Sequence, residues 1–457
     1  MDEGRGGGGG GGGRRAIVGA FILHFVGLGI LYSGGLYVVP VQRSLGVSRE
    51  QASLVPATFT ASMLFCSLAA GKVFDWWSKK QVDRKEGGEN VVWMGLPIAA
   101  GGLVSFVGLF LLSYVEIVEV AFFLSMLVGA GASLFAIPSI TIVQSWYGER
   151  TRAKATGLAM AGSGLGNFVY AIGLQKLISH FDGEGGGGEG GGGEGWRKAL
   201  RVEAGVSLGL VFFGSTLIFR KMEEKRGGNG DSGANQLTFI ECMRTRPLLT
   251  VTAFKAIFAF GYLNFFVHIV AFCEGIGLST EDSSLALSLV GICSIVGRVV
   301  IGIAADKAGT KNCLLASMVI LAGCVGLWPQ VKATSEGKVH VMVLSGCYGF
   351  FAGAFPSLPP SIVAEYYIKV ANNSLFQIVG VQFFLETLGA LVGPVLVGKL
   401  FDTTGDYEAG AWMTFGVMVV GIGVLASINN VKNFERKLAE SGIKVRTTSD
   451  DGSNAIL

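Results

Sequence analysis

Twelve stretches of this chain are long and apolar enough to cross a lipid bilayer, and nothing else in the sequence constrains the fold so strongly. A helix rises ~1.5 Å per residue, so ~20 mostly apolar residues span a ~30 Å hydrocarbon core. The stretches fall at about 16–39, 51–74, 92–112, 119–145, 155–179, 200–220, 248–272, 283–304, 313–330, 338–363, 370–399 and 408–429. They are too long for barrel strands and lack two-residue alternation, so they read as helices. Only 15% of the 457 residues are charged, and mean hydropathy is +0.54. Soluble proteins keep roughly a quarter of their residues charged. This chain cannot cover a soluble surface, and the solvent around most of it is lipid.

The distribution of Lys and Arg sets the expected orientation. With the N-terminus in the cytoplasm, cytoplasmic segments hold 25 of the 36 basic residues, and Lys255 and Arg298 fall inside the membrane. An even number of spans then puts both termini in the cytoplasm. The run after Arg15 is too long for a signal-peptide core, so it reads as the first span. The glycine tracts Gly6–Gly13, 183–195 and Gly227–Gly233 read as flexible linker, with no strand before them and no Gly-Lys-Ser/Thr after them as a nucleotide site requires. Six of the seven cysteines sit in or beside apolar runs, show no metal spacing, and read as small core residues. The expected organisation is a disordered N-terminus (1–15), a six-helix bundle (16–220), a cytoplasmic linker (221–247), a second six-helix bundle (248–429) and a cytoplasmic tail (430–457).

The two halves echo each other. Gly71-Lys-Val-Phe-Asp75 with Lys80 follows the second span, and Gly302-Ile-Ala-Ala-Asp306 with Lys311 follows the eighth. Thr141-Ile-Val-Gln-Ser-Trp-Tyr147 closes the fourth span as Ser361-Ile-Val-Ala-Glu-Tyr-Tyr367 closes the tenth. The Gly-x-x-x-Asp loops resemble the loop signature of the major facilitator superfamily. That resemblance implies an all-α membrane fold of two pseudo-symmetric six-helix bundles. Within the superfamily, Tyr147-Gly-Glu-Arg150 through Gly157 to Gly166, together with Gly297-Arg298, is similar to the monocarboxylate transporter and oxalate/formate antiporter branches. In those branches an arginine at this point of span eight engages the substrate carboxylate. The chain departs from them in having no lysine in span one, Ser294 four residues before Arg298, and Glu386 as the charge within span eleven.

Charges and polar groups inside spans are the candidate machinery. A buried arginine costs at least ~2.5–3.5 kcal/mol on insertion scales. Arg298 therefore needs a partner: a substrate carboxylate, which its planar fork suits, an ion pair with Glu386, or snorkelling to the cytoplasm. Lys255 reads as a second cationic contact or as a snorkelling lysine. Glu386 reads as the site of a coupling proton or as the counter-charge of Arg298 or Lys255. His24, Tyr32, Tyr262 and Asn264 are candidate substrate contacts, each weighed against an ordinary interhelical hydrogen bond. Tyr262 and Asn264 are two apart on a helix and cannot face one cavity together. Asp75, Asp306 and Lys311 are candidate gating charges, with Lys79, Lys80, Arg152 and Lys307 as further partners.

The expected function is alternating-access transport of small organic anions such as monocarboxylates, with protons as the candidate coupling ion. The rivals are a carrier of a neutral or cationic solute, in which Arg298 pairs with Glu386, and a non-transporting receptor or scaffold. No metal cluster, catalytic triad or phosphate loop is evident, so no enzyme, cofactor, metal or nucleic-acid role is expected. The plasma membrane is the expected location, with an organelle membrane as the alternative.

Overall fold

The computed structural model describes residues 11–83, 91–183, 194–221, 237–331, 335–367, 375–428 and 431–440. Twelve helical segments among them are long and apolar enough to cross a membrane. Spans one to six are Gly11–Leu45, Arg49–Gln81, Gly95–Leu112, Val118–Gln144, Thr151–Gly183 and Gly195–Thr216. Spans seven to twelve are Arg246–Gly275, Thr280–Ala308, Thr310–Gln330, Gly337–Tyr367, Leu375–Thr404 and Glu408–Ala426. The twelve expected stretches are recovered, most of them extended at one or both ends. Gly11–Gly13, expected in a disordered tail, open the first helix. The tracts 184–193 and Gly227–Gly233, and residues 441–457, lie outside the described residues.

The segments between spans hold more structure than expected. Val91–Trp93 (β1) and Phe219–Lys221 (β2) pair antiparallel, Val92 opposite Arg220, and tie the start of span three to the end of span six. In the linker, Phe239–Met243 forms a short helix opened by a Thr238–Glu241 capping box. The tail carries a helix, Val431–Glu440, whose Phe434 ring lies 5.5 Å from Tyr366 and 5.7 Å from Tyr367.

In lipid, helices gain little from burying apolar surface against each other, so backbone approach at small residues decides the packing. Spans five and eight illustrate this across the two halves. A methyl group on Gly157 would stand 2.5 Å from the Arg298 carbonyl oxygen, and one on Gly291 2.7 Å from the Phe168 nitrogen. Spans two and eleven meet the same way, at Gly71 against Phe376 and Gly380 against Ser67. Within the second half, Gly297 leaves even less room against the Phe350 carbonyl of span ten. Regular α-helix is interrupted in four spans: span one tightens to a 3-10 turn at Gly34–Tyr37 and span nine at Trp328–Gln330, while span two breaks at Cys66 and span ten at Gly353.

Because the second half has no slack at Gly297, Gly297→Val should remove most of the monodisperse protein recovered by detergent extraction and gel filtration. Gly205→Ala, where nothing lies within 4 Å, should leave the yield unchanged.

Candidate functional site

A cavity of about 460 Å³ lies between the halves. Span one gives it His24 and Tyr32, span two Thr60 and Met63, and spans seven, ten and eleven give Tyr262, Phe355, Phe383 and Glu386. It is mostly apolar, with its few polar groups converging, which is how small-molecule sites are built. His24 bonds the Ala20 carbonyl through Nδ1 at 2.7 Å, which requires the proton on Nδ1 and leaves Nε2 an acceptor.

Of the charged groups, Glu386 lines the cavity itself, while Lys255 and Arg298 stand behind its wall, against Glu386 and Tyr32 respectively. Lys255 has no exposed surface, and its Nζ lies 2.7 Å from Glu386 Oε2 and 3.5 Å from the Phe383 ring centroid. The 2.7 Å approach is governed by charge rather than by a well-aligned hydrogen bond, since neither atom meets hydrogen-bond geometry. Lys255 therefore does not snorkel, and Glu386 takes Lys255, not Arg298, as its partner.

Arg298 is 2% exposed, and its Nε and Nη1 are buried without a hydrogen-bond partner. Among the described residues no carboxylate lies within ion-pair distance of it. The guanidinium stands beside the Tyr32 hydroxyl, and its field reaches Tyr262 and His24. Gly353, where span ten breaks, makes room for it: a methyl group there would lie 2.6 Å from Arg298 Cγ. Arg298 is ten residues from the end of its helix at Ala308. Its side chain is buried against Tyr32 and Gly353 instead of reaching for the helix end, which argues against snorkelling.

Asn264 is the sequence candidate that the structure places elsewhere. Its Nδ2 donates to Thr414 Oγ1 at 2.9 Å, and it lines a separate pocket of the second half with His268, whose Nε2 meets the Pro394 carbonyl at 2.9 Å. The two-residue offset from Tyr262 is the reason. The sequence reading missed Glu203, which is 4% exposed in span six and accepts a 2.6 Å hydrogen bond from the Tyr37 hydroxyl. Its signal was available, as a carboxylate near the start of an otherwise apolar stretch.

The halves touch on both sides of the cavity. On the side of the chain termini, Asp306 at the end of span eight accepts from the backbone N–H groups of Ala153 (3.2 Å) and Lys154 (3.0 Å), in the first turns of span five. Asp75, near the end of span two, accepts from Gln377 Nε2 at 3.0 Å, in the first described turn of span eleven. Asp306 thus lies near the helix start of span five in the opposite half, where the dipole favours negative charge. These hydrogen bonds run to an amide and to backbone, with Arg220 near Asp75 and with Arg152 and Lys154 near Asp306. Lys311 does not bridge the halves. It donates to the Ala426 and Ile428 carbonyls at the end of span twelve, which stabilises that helix terminus. On the opposite side, the Tyr32 and Tyr262 hydroxyls meet at 3.2 Å, the Tyr32 ring stacks on Phe266 at 4.3 Å, and Arg49 Cζ lies 5.7 Å from the Phe401 ring. Arg49 also stands beside Tyr407, in the turn after span eleven, where burial pushes the phenol up to about 12 against the pull of the guanidinium.

Residues 17–394 match the profile described as Major Facilitator Superfamily. This chain belongs to the major facilitator superfamily. Among this facilitator's curated relatives, monocarboxylate transporter 12 of Xenopus laevis is 28% identical over 363 residues, covering 74% of this chain and 75% of the relative. Monocarboxylate transporter 13 of Bos taurus is 28% identical over 334 residues, covering 72% of each. Among solved structures, a point mutant of the nucleoside transporter NupG superposes with a TM-score of 0.61 at 15% identity, covering 91% of this chain and all of that one. The major facilitator FucP in its outward conformation also gives 0.61, at 14% identity, covering 91% of this chain and 98% of that one. Fold and relatives are those of transporters, not enzymes.

Removing one member of a buried ion pair strands the other, at a cost of about 3–5 kcal/mol. Lys255→Met should therefore lower the melting temperature of the detergent-solubilised facilitator sharply. The double variant Lys255→Met/Glu386→Leu should recover most of the loss. Additive losses in the double variant would show that the pair is not coupled.

Proposed function

We propose that this facilitator moves small organic monoanions, monocarboxylates foremost, by alternating access, and that Arg298 receives the carboxylate. The observation that carries the reading is a buried guanidinium with two nitrogens unpartnered beside a cavity whose carboxylate is already taken by Lys255. With all three groups ionised the site carries one net positive charge, which a monoanion neutralises. A carboxylate bound at either free nitrogen would gain a charge-assisted hydrogen bond. The names of the relatives agree with this substrate class. The rival reading required Arg298 to pair with Glu386, and the Lys255 contact removes that support.

Glu386 is the proposed site of the coupling proton. Protonating it leaves Lys255 cationic and unpaired, which raises the charge of the site from one to two. Anion affinity rises with that charge, so proton and anion bind cooperatively, and by linkage each strengthens the other. The distribution of basic residues places both termini, and with them the Asp75 and Asp306 contacts, on the cytoplasmic side. The plasma membrane is the proposed location. Opening toward the cytoplasm breaks the Asp75–Gln377 and Asp306–span five contacts, and opening outward parts Tyr32 from Tyr262.

Uptake of labelled monocarboxylates into proteoliposomes tests the site. Arg298→Ala should lower initial uptake at least about 100-fold while the protein remains monodisperse, because a paired, desolvated charge is worth about 3 kcal/mol or more. Arg298→Lys should restore only part of it, since an ammonium lacks the planar fork. Uptake at the wild-type rate in Arg298→Ala would refute the assignment. For coupling, Glu386→Gln should keep anion exchange between equal pools yet no longer accumulate anion when an inward proton gradient is imposed. Gradient-driven accumulation in that variant would place the proton elsewhere.

A further inference from the structure

A second cavity lies wholly within the first six spans, and transport as proposed above makes no use of it. The hollow and its open mouth together hold about 580 Å³ free of protein atoms. Its walls are aliphatic and aromatic, drawn from spans one, two, three, four and six, with Leu109, Val128 and Leu200 among them. Tyr37 and Trp196 enter the same lining and bring the polar atoms that matter here. The Tyr37 hydroxyl is committed, donating to Glu203 Oε2. The indole of Trp196 is 1% exposed, and its Nε1–H has no hydrogen-bond partner. Glu203 Oε1 is likewise buried and unpartnered. Trp196, Leu200 and Glu203 recur at helical spacing along one face of span six. An unused donor and an unused acceptor therefore flank the cavity-lining Leu200.

A buried donor left without an acceptor is costly, and buried polar groups in folded proteins are nearly always paired with protein or a bound molecule. Ser125 is the one further polar residue of the lining and every other wall residue is apolar, so a bound molecule meets mostly carbon. A molecule with an apolar body and a single hydroxyl fits both demands, because its carbon frame fills the apolar volume and its oxygen accepts from the indole. We propose that this cavity is a binding site for a small apolar molecule carrying one hydroxyl group, with Trp196 Nε1–H as the donor that orients it. The site borders the Gly34–Tyr37 turn of span one, where Gly35 abuts the Phe266 carbonyl of the other half. Occupancy there stiffens the segment at which the halves meet.

Calorimetric titration of the full chain in detergent tests the site independently of any transport. The ligands are 4-ethylphenol and 4-ethyltoluene, which differ by hydroxyl against methyl, and empty micelles provide the partition blank. The phenol should give saturable heat above that blank and bind at least about 5-fold more tightly than the toluene. Trp196→Phe keeps a ring but loses the N–H. It should weaken the phenol about 5–10-fold and leave the toluene unchanged. Ala121→Phe, or Leu200→Phe if the first variant is not monodisperse, fills the cavity and should abolish saturable binding of both. Absence of saturable heat for the phenol, equal affinity for the two ligands, wild-type phenol affinity in Trp196→Phe, or binding that survives cavity filling would each overturn the proposal.

Discussion

The ammonium of Lys255 and the carboxylate of Glu386 neutralise each other deep between the halves, and the chemistry of the central cavity follows from that contact. These groups are buried, so a charge must find its complement in protein or in what the protein binds. Once Glu386 is engaged, the guanidinium of span eight has no protein anion left to meet. The site then holds an unmatched positive charge among the described residues, the charge that the proposed small anion would neutralise. Aromatic walls from Phe355 and Phe383 keep the dielectric low and stabilise the ammonium through their ring faces.

The same economy governs how the halves are held together. Span five of one half lies on span eight of the other, and span two on span eleven, with glycines bringing the backbones close. Such contacts stabilise through fit rather than through long side chains, so they can separate and reform without large rotamer costs. The two aspartates occupy equivalent positions in the repeat, each accepting hydrogen bonds from the opposite bundle. The pseudo-symmetry noticed in the loops is thus a symmetry of interaction as well as of sequence.

Much of this is legible in the amino-acid sequence. Apolar length gives the twelve spans, and the Gly-x-x-x-Asp echoes give the halves. The rarity of charge inside spans singles out Arg298, Lys255 and Glu386. Which of them pair is not legible, because pairing depends on helix rotation and depth. Arg298 is buried against Tyr32 and Gly353, and Lys255 turns inward instead of toward headgroups. Asn264 and Tyr262 are correctly separated by the helical period, but the period cannot say which of the two faces the partner bundle. The strand pair at Val91–Trp93 and Phe219–Lys221 is invisible, because three residues are too few for an alternation to register. Glu203 is overlooked for a different reason: it sits near the start of a span whose flank is already rich in charge.

The way Asp306 is held has an evolutionary consequence. Its acceptor atoms meet main-chain amides at positions 153 and 154, so, proline aside, the contact calls for no particular side chain. The hydrogen bonds survive changes of side-chain chemistry there as long as the buried position 153 stays small. The counterpart at Asp75 depends on the Gln377 side chain and has no such immunity. If these two contacts hold one side shut, as proposed, the one at Asp75 is the more easily tuned, and selection on how readily the protein opens would act first at position 377.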